Sequence, residues 1–561
     1  MNAGAAPPRP GGAFTPKLIT SLREGYGAAR LRADLVAGLT VAIVALPLAM
    51  ALGIASGASP REGLVTAVVA GFLISALGGS RVQIGGPTGA FVVIVAGVIA
   101  AHGYAGLVLA TLLAGLILIV AGYAGVGRLM RFVPMPVVTG FTAGIAVIIA
   151  SSQVGDFLGL RTAAPTDFLE KWAVYLGALN RVDGATLGIG LSTLSLILVL
   201  RRFAPRLPAY LVAIVAGTLA ALALHLPVET VGTRFPAMPT GLPVPRLPYL
   251  SPALVREMLP SAFTIAFLAG IEALLSAVVA DGMTGYRHRS GQELVGMGVA
   301  NLASALFGGL PATGAIARTA TNVRAGAKTP VAGMFHAAFL LAFMLLAGKL
   351  IAYVPMATLA AILLMVAWGM SEAGRFRALL RSDPGEQALL LLTFALTILV
   401  DLTVAIGVGV TLAAPLFMRR MSEHAGLVPV DPEEDPEQRD RLPTGVEVLR
   451  FTGPIFFGVA NELIEALRRV GRSPRAIILR MELVPYIDAT GANALETFVR
   501  QAKAGGTEVW LCGMRRGPLE FLARSAPPYA GARRALTYAG ALKRLDRSAP
   551  AGVERGHVTI S

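Results

Sequence analysis

Long apolar stretches recur along most of the chain, at residues 35–52, 107–124, 187–200, 211–224, 263–280, 331–347 and 357–370. Each approaches or reaches the roughly 20 residues that a helix needs to cross a bilayer. With the shorter apolar stretches between them, the pattern predicts about twelve to fourteen crossings within residues 33–420. The pattern then changes. Residues 431–441, DPEEDPEQRDR, form a charged, Pro-containing break of the kind found at domain boundaries. Beyond it the chain reads as a strand at 446–451, an amphipathic helix at 460–470, a buried strand at 476–481, a helix at 492–502 and a strand at 507–512. That order predicts a small sheet covered by helices. The expected organisation is a cytosolic lead-in at 1–32, a transmembrane domain at 33–420, a linker at 421–443, a soluble α/β domain at 444–549 and a tail at 550–561.

Composition points the same way. Of the 561 residues 55% are hydrophobic and only 14% charged, against about 45–50% and about 25% in soluble domains. A net charge of +15 raises the question of nucleic acid, but the placement of the basic residues argues against it. They fall in clusters between apolar stretches, among them Arg128 and Arg131, Arg201 and Arg202, Arg287 and Arg289, Arg375 and Arg377, and Arg419 and Arg420. Such clusters in alternate loops follow the positive-inside rule, which predicts an even number of crossings with both termini in the cytoplasm. The N-terminus has no charged segment followed by an apolar core, so no cleaved signal is expected and the first span serves for targeting to a bacterial-type inner membrane. Cys512 is the single cysteine and ends an apolar strand, where packing is its expected role.

Two segments break the helical pattern inside the membrane part. Gly85-Gly86-Pro87-Thr88-Gly89-Ala90 is echoed by Gly309-Leu310-Pro311-Ala312-Thr313-Gly314-Ala315, once in each half. Both place Pro and Gly where a lipid-facing helix does not want them, and both precede a stretch too short to cross alone. Paired broken spans at corresponding positions are a sequence pointer to a transport site near the midplane; close helix packing through small residues is the alternative.

These motifs, with DLVAGLTVAIVALPLAMALGIASG in the first span, GGPTGAFVVIV, IEALLSAVVADGMTG and ATGAIARTATNVRAGAKTP, resemble the SulP (sulfate permease) family of anion transporters. The tail, with the turn Asp488-Ala489-Thr490-Gly491, resembles a STAS domain. The resemblance implies a polytopic α-helical fold built as a seven-plus-seven inverted repeat, two of whose spans are broken half-helices. It further implies a homodimer and secondary transport of a small anion. The segments SEAGRF, DGMTG and ARTATNVRAGA look most like the branch that carries C4-dicarboxylates such as fumarate and succinate, with sulfate and bicarbonate left open. In the phosphorylatable STAS loop of such relatives Ser or Thr follows the Asp. Here Ala489 follows Asp488 and Thr490 comes second, which leaves phosphorylation, a nucleotide, a cytosolic partner or plain dimer packing open as the role of that loop.

An anion inside a bilayer needs positive potential from groups already satisfied or paired. Two facing half-helix N-termini supply it through free N–H groups and dipole ends. Thr88 and Thr313 are placed to cap those helices, and Gly89 and Gly314 let backbone approach the ligand. The expected anion contacts are Thr88, Gly89, Ala90, Phe91, Gly314, Ala315 and Ile316, with Arg318 one turn into the second half-helix at the position where the resemblance puts a basic residue. Glu272 stands in an apolar span with Ser276 one turn on. An intramembrane carboxylate is costly and by default functional, so the pair is expected to couple transport to H+, with Na+ as the alternative and a fixed ion pair as the structural one. No GxxxxGK[ST] sequence is present, and the six His and one Cys form no ligand cluster, so no ATP, metal or other cofactor and no enzymatic activity are expected. A channel or sensor reporting through the STAS domain is the rival of another class; an uncoupled pore has no need of a membrane carboxylate.

Overall fold

The computed structural model describes residues 14–547 apart from 129–133, 161, 163–164, 166, 206, 237–240, 249–250, 424, 430–441, 444, 457–473 and 526–530. The charged linker at 431–441 and the expected helix at 460–470 lie outside the described residues. Contacts divide the chain into two units, Met1–Val410 and Thr411–Ser561.

The first unit is helical. In chain order it has α1 (Lys17–Arg23), α2 (Ala28–Ala55), α3 (Pro60–Leu77), strand β1 (Gly85–Gly86), α4 (Val92–Tyr123), α5 (Met135–Leu158), α6 (Phe168–Gly177), α7 (Gly184–Phe203), α8 (Ala209–Ala223), α9 (Val231–Arg234), α10 (Pro252–Thr284) and α11 (Ser290–Leu306). Strand β2 (Thr313–Gly314) follows, then α12 (Ile316–Arg324), α13 (Val331–Ile351), α14 (Met356–Met370), α15 (Ala373–Leu379), α16 (Pro384–Leu399) and α17 (Leu402–Glu423), which runs across the boundary between the units.

Nine helices among the described residues are long and apolar enough to cross a membrane, and α8 and α16 are shorter apolar helices. This count is lower than the expected number of crossings for a physical reason. Gly103, at φ 67°, breaks α4 into two arms that count as one helix, and α12 is too short to cross alone. Large apolar side chains stand exposed along these helices, including Val120, Phe203, Leu219, Leu346 and Leu350. Lipid is the solvent that suits such a surface.

Inside the bundle, polar side chains replace apolar ones without being exposed. On α11, which reads as too polar for a span, Glu293 is buried and its Oε2 accepts the Gly79 amide at 2.7 Å, while Gln292 donates to the Leu77 carbonyl at 2.6 Å. These two side chains satisfy backbone at the end of α3. Asp34, buried on α2, takes the Lys328 and Thr329 amides at 2.7 and 3.1 Å and fastens the start of the first long helix to the turn before α13. Close helix contact comes from small residues: a Cβ at Gly298 of α11 would lie 2.5 Å from the Gly115 carbonyl oxygen on α4, and one at Gly115 would lie 2.8 Å from the Gly298 oxygen. Backbone thus touches backbone. Gly298→Val is expected to push the helices apart at a cost of about 1–3 kcal/mol. In detergent the purified variant should melt several degrees lower; an unchanged melting temperature would contradict the α4–α11 contact.

β1 and β2 bring the two broken segments together as an antiparallel pair, Gly85 opposite Gly314 and Gly86 opposite Thr313.

The second unit contains a five-stranded sheet in the order β3 (Gly426–Pro429), β4 (Val446–Thr452), β5 (Ala476–Leu483), β6 (Glu508–Cys512) and β7 (Arg533–Ala535). β3 runs antiparallel to β4 and the other neighbours are parallel. The three predicted strands correspond to β4, β5 and β6. β5 reads AIILRMEL and is buried on both faces, as a central parallel strand should be. One face is covered by α18 (Ala489–Ala504) and α19 (Arg516–Ser525), the other by α20 (Tyr538–Arg547). Cys512 is buried in the second of these cores.

Candidate functional site

Glycine at the crossing of β1 and β2 is a steric demand. A Cβ at Gly314 would sit 1.7 Å from Gln83 Nε2, and one at Gly85 would meet Ile74 Cδ1 at 2.2 Å. Gly86 has φ +146°, and its Cβ would lie 2.7 Å from an Arg318 guanidinium nitrogen. The backbone therefore comes close to its surroundings on both sides of the crossing.

From the crossing each segment turns into a helix. Thr88 leads through a single turn at Gly89–Phe91 into α4, and Ala315 leads into α12. The expected capping by threonine is not what the structure has. Thr88 donates its hydroxyl to Glu272 Oε2 at 2.9 Å, and Thr313 donates to the Ala269 carbonyl at 2.7 Å. Both hydroxyls reach sideways to α10, because its middle runs past the crossing and offers acceptors nearer than the helix ends. Neither half-helix then has a side-chain cap, so the first-turn N–H groups of Gly89 and Ala90 on one side, and of Ile316 and Ala317 on the other, keep their donor capacity. The Ala315 N–H is an exception: it donates to the Ile84 carbonyl at 2.8 Å, which leaves its residue to contribute wall rather than a hydrogen bond.

Arg318 lies in the first turn of α12 and is 5% exposed. Its guanidinium donates to the Pro87 carbonyl, and its Nη1 has no hydrogen-bond partner. Among the described residues no salt bridge joins it to Glu272. A buried cation at the positive end of a helix is placed where electrostatics disfavours it unless negative charge arrives. Thr88, Gly89, Ala90, Gly314, Ala315, Ile316, Arg318 and Glu272 all line one cavity of about 440 Å³, whose remaining wall is largely apolar side chains of α2 and α14. The sequence motifs thus converge on a single pocket.

Four of the expected site residues lie elsewhere. Phe91 is buried beside the cavity without lining it. Ser276 is fully buried behind the crossing and donates to the Thr319 hydroxyl at 3.1 Å, which in turn accepts the Ile84 amide at 3.0 Å. In the second unit Asp488 caps α18 by accepting the Gly491 amide at 2.7 Å, with Thr490 exposed in the first turn. A larger cavity of about 790 Å³ lies at the C-terminal end of α5. Its charged residues are already paired with one another, since Arg234 donates to Asp156 at 2.7 and 3.0 Å and to Glu229 at 2.9 Å.

The comparisons with known proteins fit this architecture. The sulfate permease family matches residues 31–393, and the STAS domain matches residues 439–526. The chain belongs to the sulfate permease family. The relatives it matches are named as transporters, and this chain is an anion transporter of that family with a C-terminal STAS domain, not an enzyme. YvdB of Bacillus subtilis, named for sulfate transport, is 40% identical over 505 residues, 89% of this chain and 94% of that protein. The bicarbonate transporter BicA of Picosynechococcus is 32% identical over 505 residues, 86% of this chain and 88% of that protein. Among solved structures, the transmembrane domain of a cyanobacterial BicA superimposes with a TM-score of 0.62 at 34% identity, covering 68% of this chain and 98% of that one. Murine Solute Carrier 26 family member A9 gives a TM-score of 0.84 at 16% identity over 98% of this chain and 97% of that one, a likeness of fold.

Proposed function

We propose that this chain is a secondary active symporter that carries a small oxyanion, sulfate or a C4-dicarboxylate such as succinate, into the cell together with a proton. In this reading it works as a homodimer in a bacterial-type inner membrane, with both termini cytoplasmic and its halves related as an inverted repeat. The observation that carries the reading is the hydrogen bond from Thr88 to Glu272, 2.9 Å long, at the mouth of an uncapped half-helix that shares its cavity with Arg318. Through that bond the state of a carboxylate is tied to the residue on which the anion is held. When the carboxylate is charged it competes with the anion for the same positive potential; protonation removes the competitor. Anion and proton then favour each other's binding, which is the thermodynamic requirement of symport.

The anion donors are mainly main-chain N–H groups, and these fix charge and size more than chemical identity. Sodium-coupled transport of bicarbonate is the second reading; the 32% identity to the bicarbonate transporter BicA over most of both chains favours its anion, and the carboxylate of Glu272 would serve sodium as it would a proton. Flux into liposomes decides between them. Protein in liposomes is offered radiolabelled sulfate, succinate and bicarbonate while the pH gradient is stepped, with sodium present and then absent. Sulfate or succinate is expected to accumulate under an inward proton gradient without sodium. Bicarbonate accumulation that needs sodium would replace the first reading with the second, and no accumulation under either gradient would overturn both.

A further inference from the structure

The cavity that holds Arg318 has a second cation in its wall, and no sequence motif marks it as part of the site. Arg201 lies in the last turn of α7, and Tyr210 in the first turn of α8; both line the same cavity as Thr88, Glu272 and Arg318. Arg201 donates to the Tyr210 hydroxyl at 2.8 Å, and its guanidinium carbon lies 5.2 Å from the centre of the same ring. A tyrosine holds a guanidinium in place by these two contacts without neutralising it. Among the described residues no carboxylate pairs with Arg201. Besides Glu272, the carboxylate that lines this cavity among the described residues is Glu372, which pairs with Arg375 at 2.6 Å.

Arg201 is exposed, whereas Arg318 is buried. The cavity therefore has one exposed and one buried cation in its wall, with apolar wall from Val44, Leu48, Met365 and Val366 besides. Low-dielectric walls focus the field of such charges on an ion between them. An arginine at a helix C-terminus also suits the helix dipole and reaches easily to water. Those reasons apply equally to its neighbour Arg202, which does not line the cavity.

We propose that Arg201, held by Tyr210, is an anion-receiving station in the wall of the substrate cavity, a specificity-determining contact that passes small oxyanions to the Arg318 site. The inference rests on the transport reading above. Its ligand class is the same oxyanion, met while partly hydrated; a guanidinium offers a carboxylate or sulfate two parallel N–H donors.

The experiment compares wild type, Arg201→Gln, Arg201→Lys, Tyr210→Phe and Arg202→Gln in vesicles of both orientations, with labelled sulfate, succinate and bicarbonate as probes. With Arg201→Gln, KM measured from the face to which this cavity opens should rise about tenfold, and its dependence on ionic strength should flatten. KM from the opposite face should stay as in wild type. Arg201→Lys should recover most of the loss, Tyr210→Phe should show a smaller rise, and Arg202→Gln none. An Arg201→Gln variant with unchanged KM overturns the station, and so does an equal change at both faces or an equal effect of Arg202→Gln. A wild type that moves none of the probes overturns the transport reading itself, a result separate from any variant.

Discussion

Glu272→Gln is expected to keep anion binding and to lose the acceleration of uptake by an inward proton gradient. Gln fills nearly the same volume, and its amide oxygen still accepts the Thr88 hydroxyl that Glu272 Oε2 accepts now at 2.9 Å. What changes is charge. The variant has a permanently neutral group beside the anion, so its affinity should equal or exceed that of wild type, and a step in the pH gradient should no longer change the rate. The measurement is uptake at fixed anion concentration across a series of gradients, paired with equilibrium binding of the same anion. A variant that still responds fully to the gradient would make the carboxylate structural and place proton coupling elsewhere. A wild type that responds to sodium alone would carry the argument to the sodium-coupled reading, in which Glu272→Gln should lose sodium dependence instead.

The convergence of the site was legible because its residues break rules that are visible in a single dimension. Pro87 and Pro311 interrupt apolar stretches, Gly85, Gly86 and Gly314 sit where helix is otherwise expected, and Glu272 and Arg318 carry charge into lipid-like surroundings. Each is costly unless three-dimensional structure compensates it, and the compensations meet at the β1–β2 crossing. What stayed hidden is of two kinds. Glu293 and Asp34 are buried carboxylates that bind backbone amides, but both stand near the ends of spans close to basic loops, where a charged residue usually means an interface. Only the distant partner, Gly79 or Thr329, shows otherwise.

The second kind is direction. Spacing puts Thr88 and Thr313 at helix starts, and capping is what threonine most often does there. Their χ1 rotamers are chosen instead by α10, which passes beside the crossing and accepts both hydroxyls. Ser276 falls on the same helical face as Glu272, yet one turn is enough to move it from the cavity to the buried contact with Thr319. Arg201 likewise reads as one member of a positive loop, and only its hold on Tyr210 places it in the cavity wall.

Arg318→Ala should have the opposite effect to Glu272→Gln: proton sensing is retained and the anion is lost. The guanidinium is buried, has an Nη1 without a partner, and lies at the positive end of α12 with no salt bridge to Glu272. A hydrogen bond to a charged partner contributes about 1.5–3 kcal/mol. Anion affinity should therefore fall by a factor of about 10 to 150. Stability without anion is the second readout. Removing a buried cation from beside a helix N-terminus relieves a desolvation cost, which offsets the lost hydrogen bond to the Pro87 carbonyl. The apo variant should thus melt close to wild type, while the rise in melting temperature that sulfate or succinate produces in wild type should nearly vanish. Arg318→Lys keeps the charge but not the fork-shaped donor set, and should fall between the two. An Arg318→Ala variant with wild-type anion stabilisation would show that the half-helix N–H groups hold the anion alone; one that unfolds without anion would show that the arginine's role is to brace Pro87.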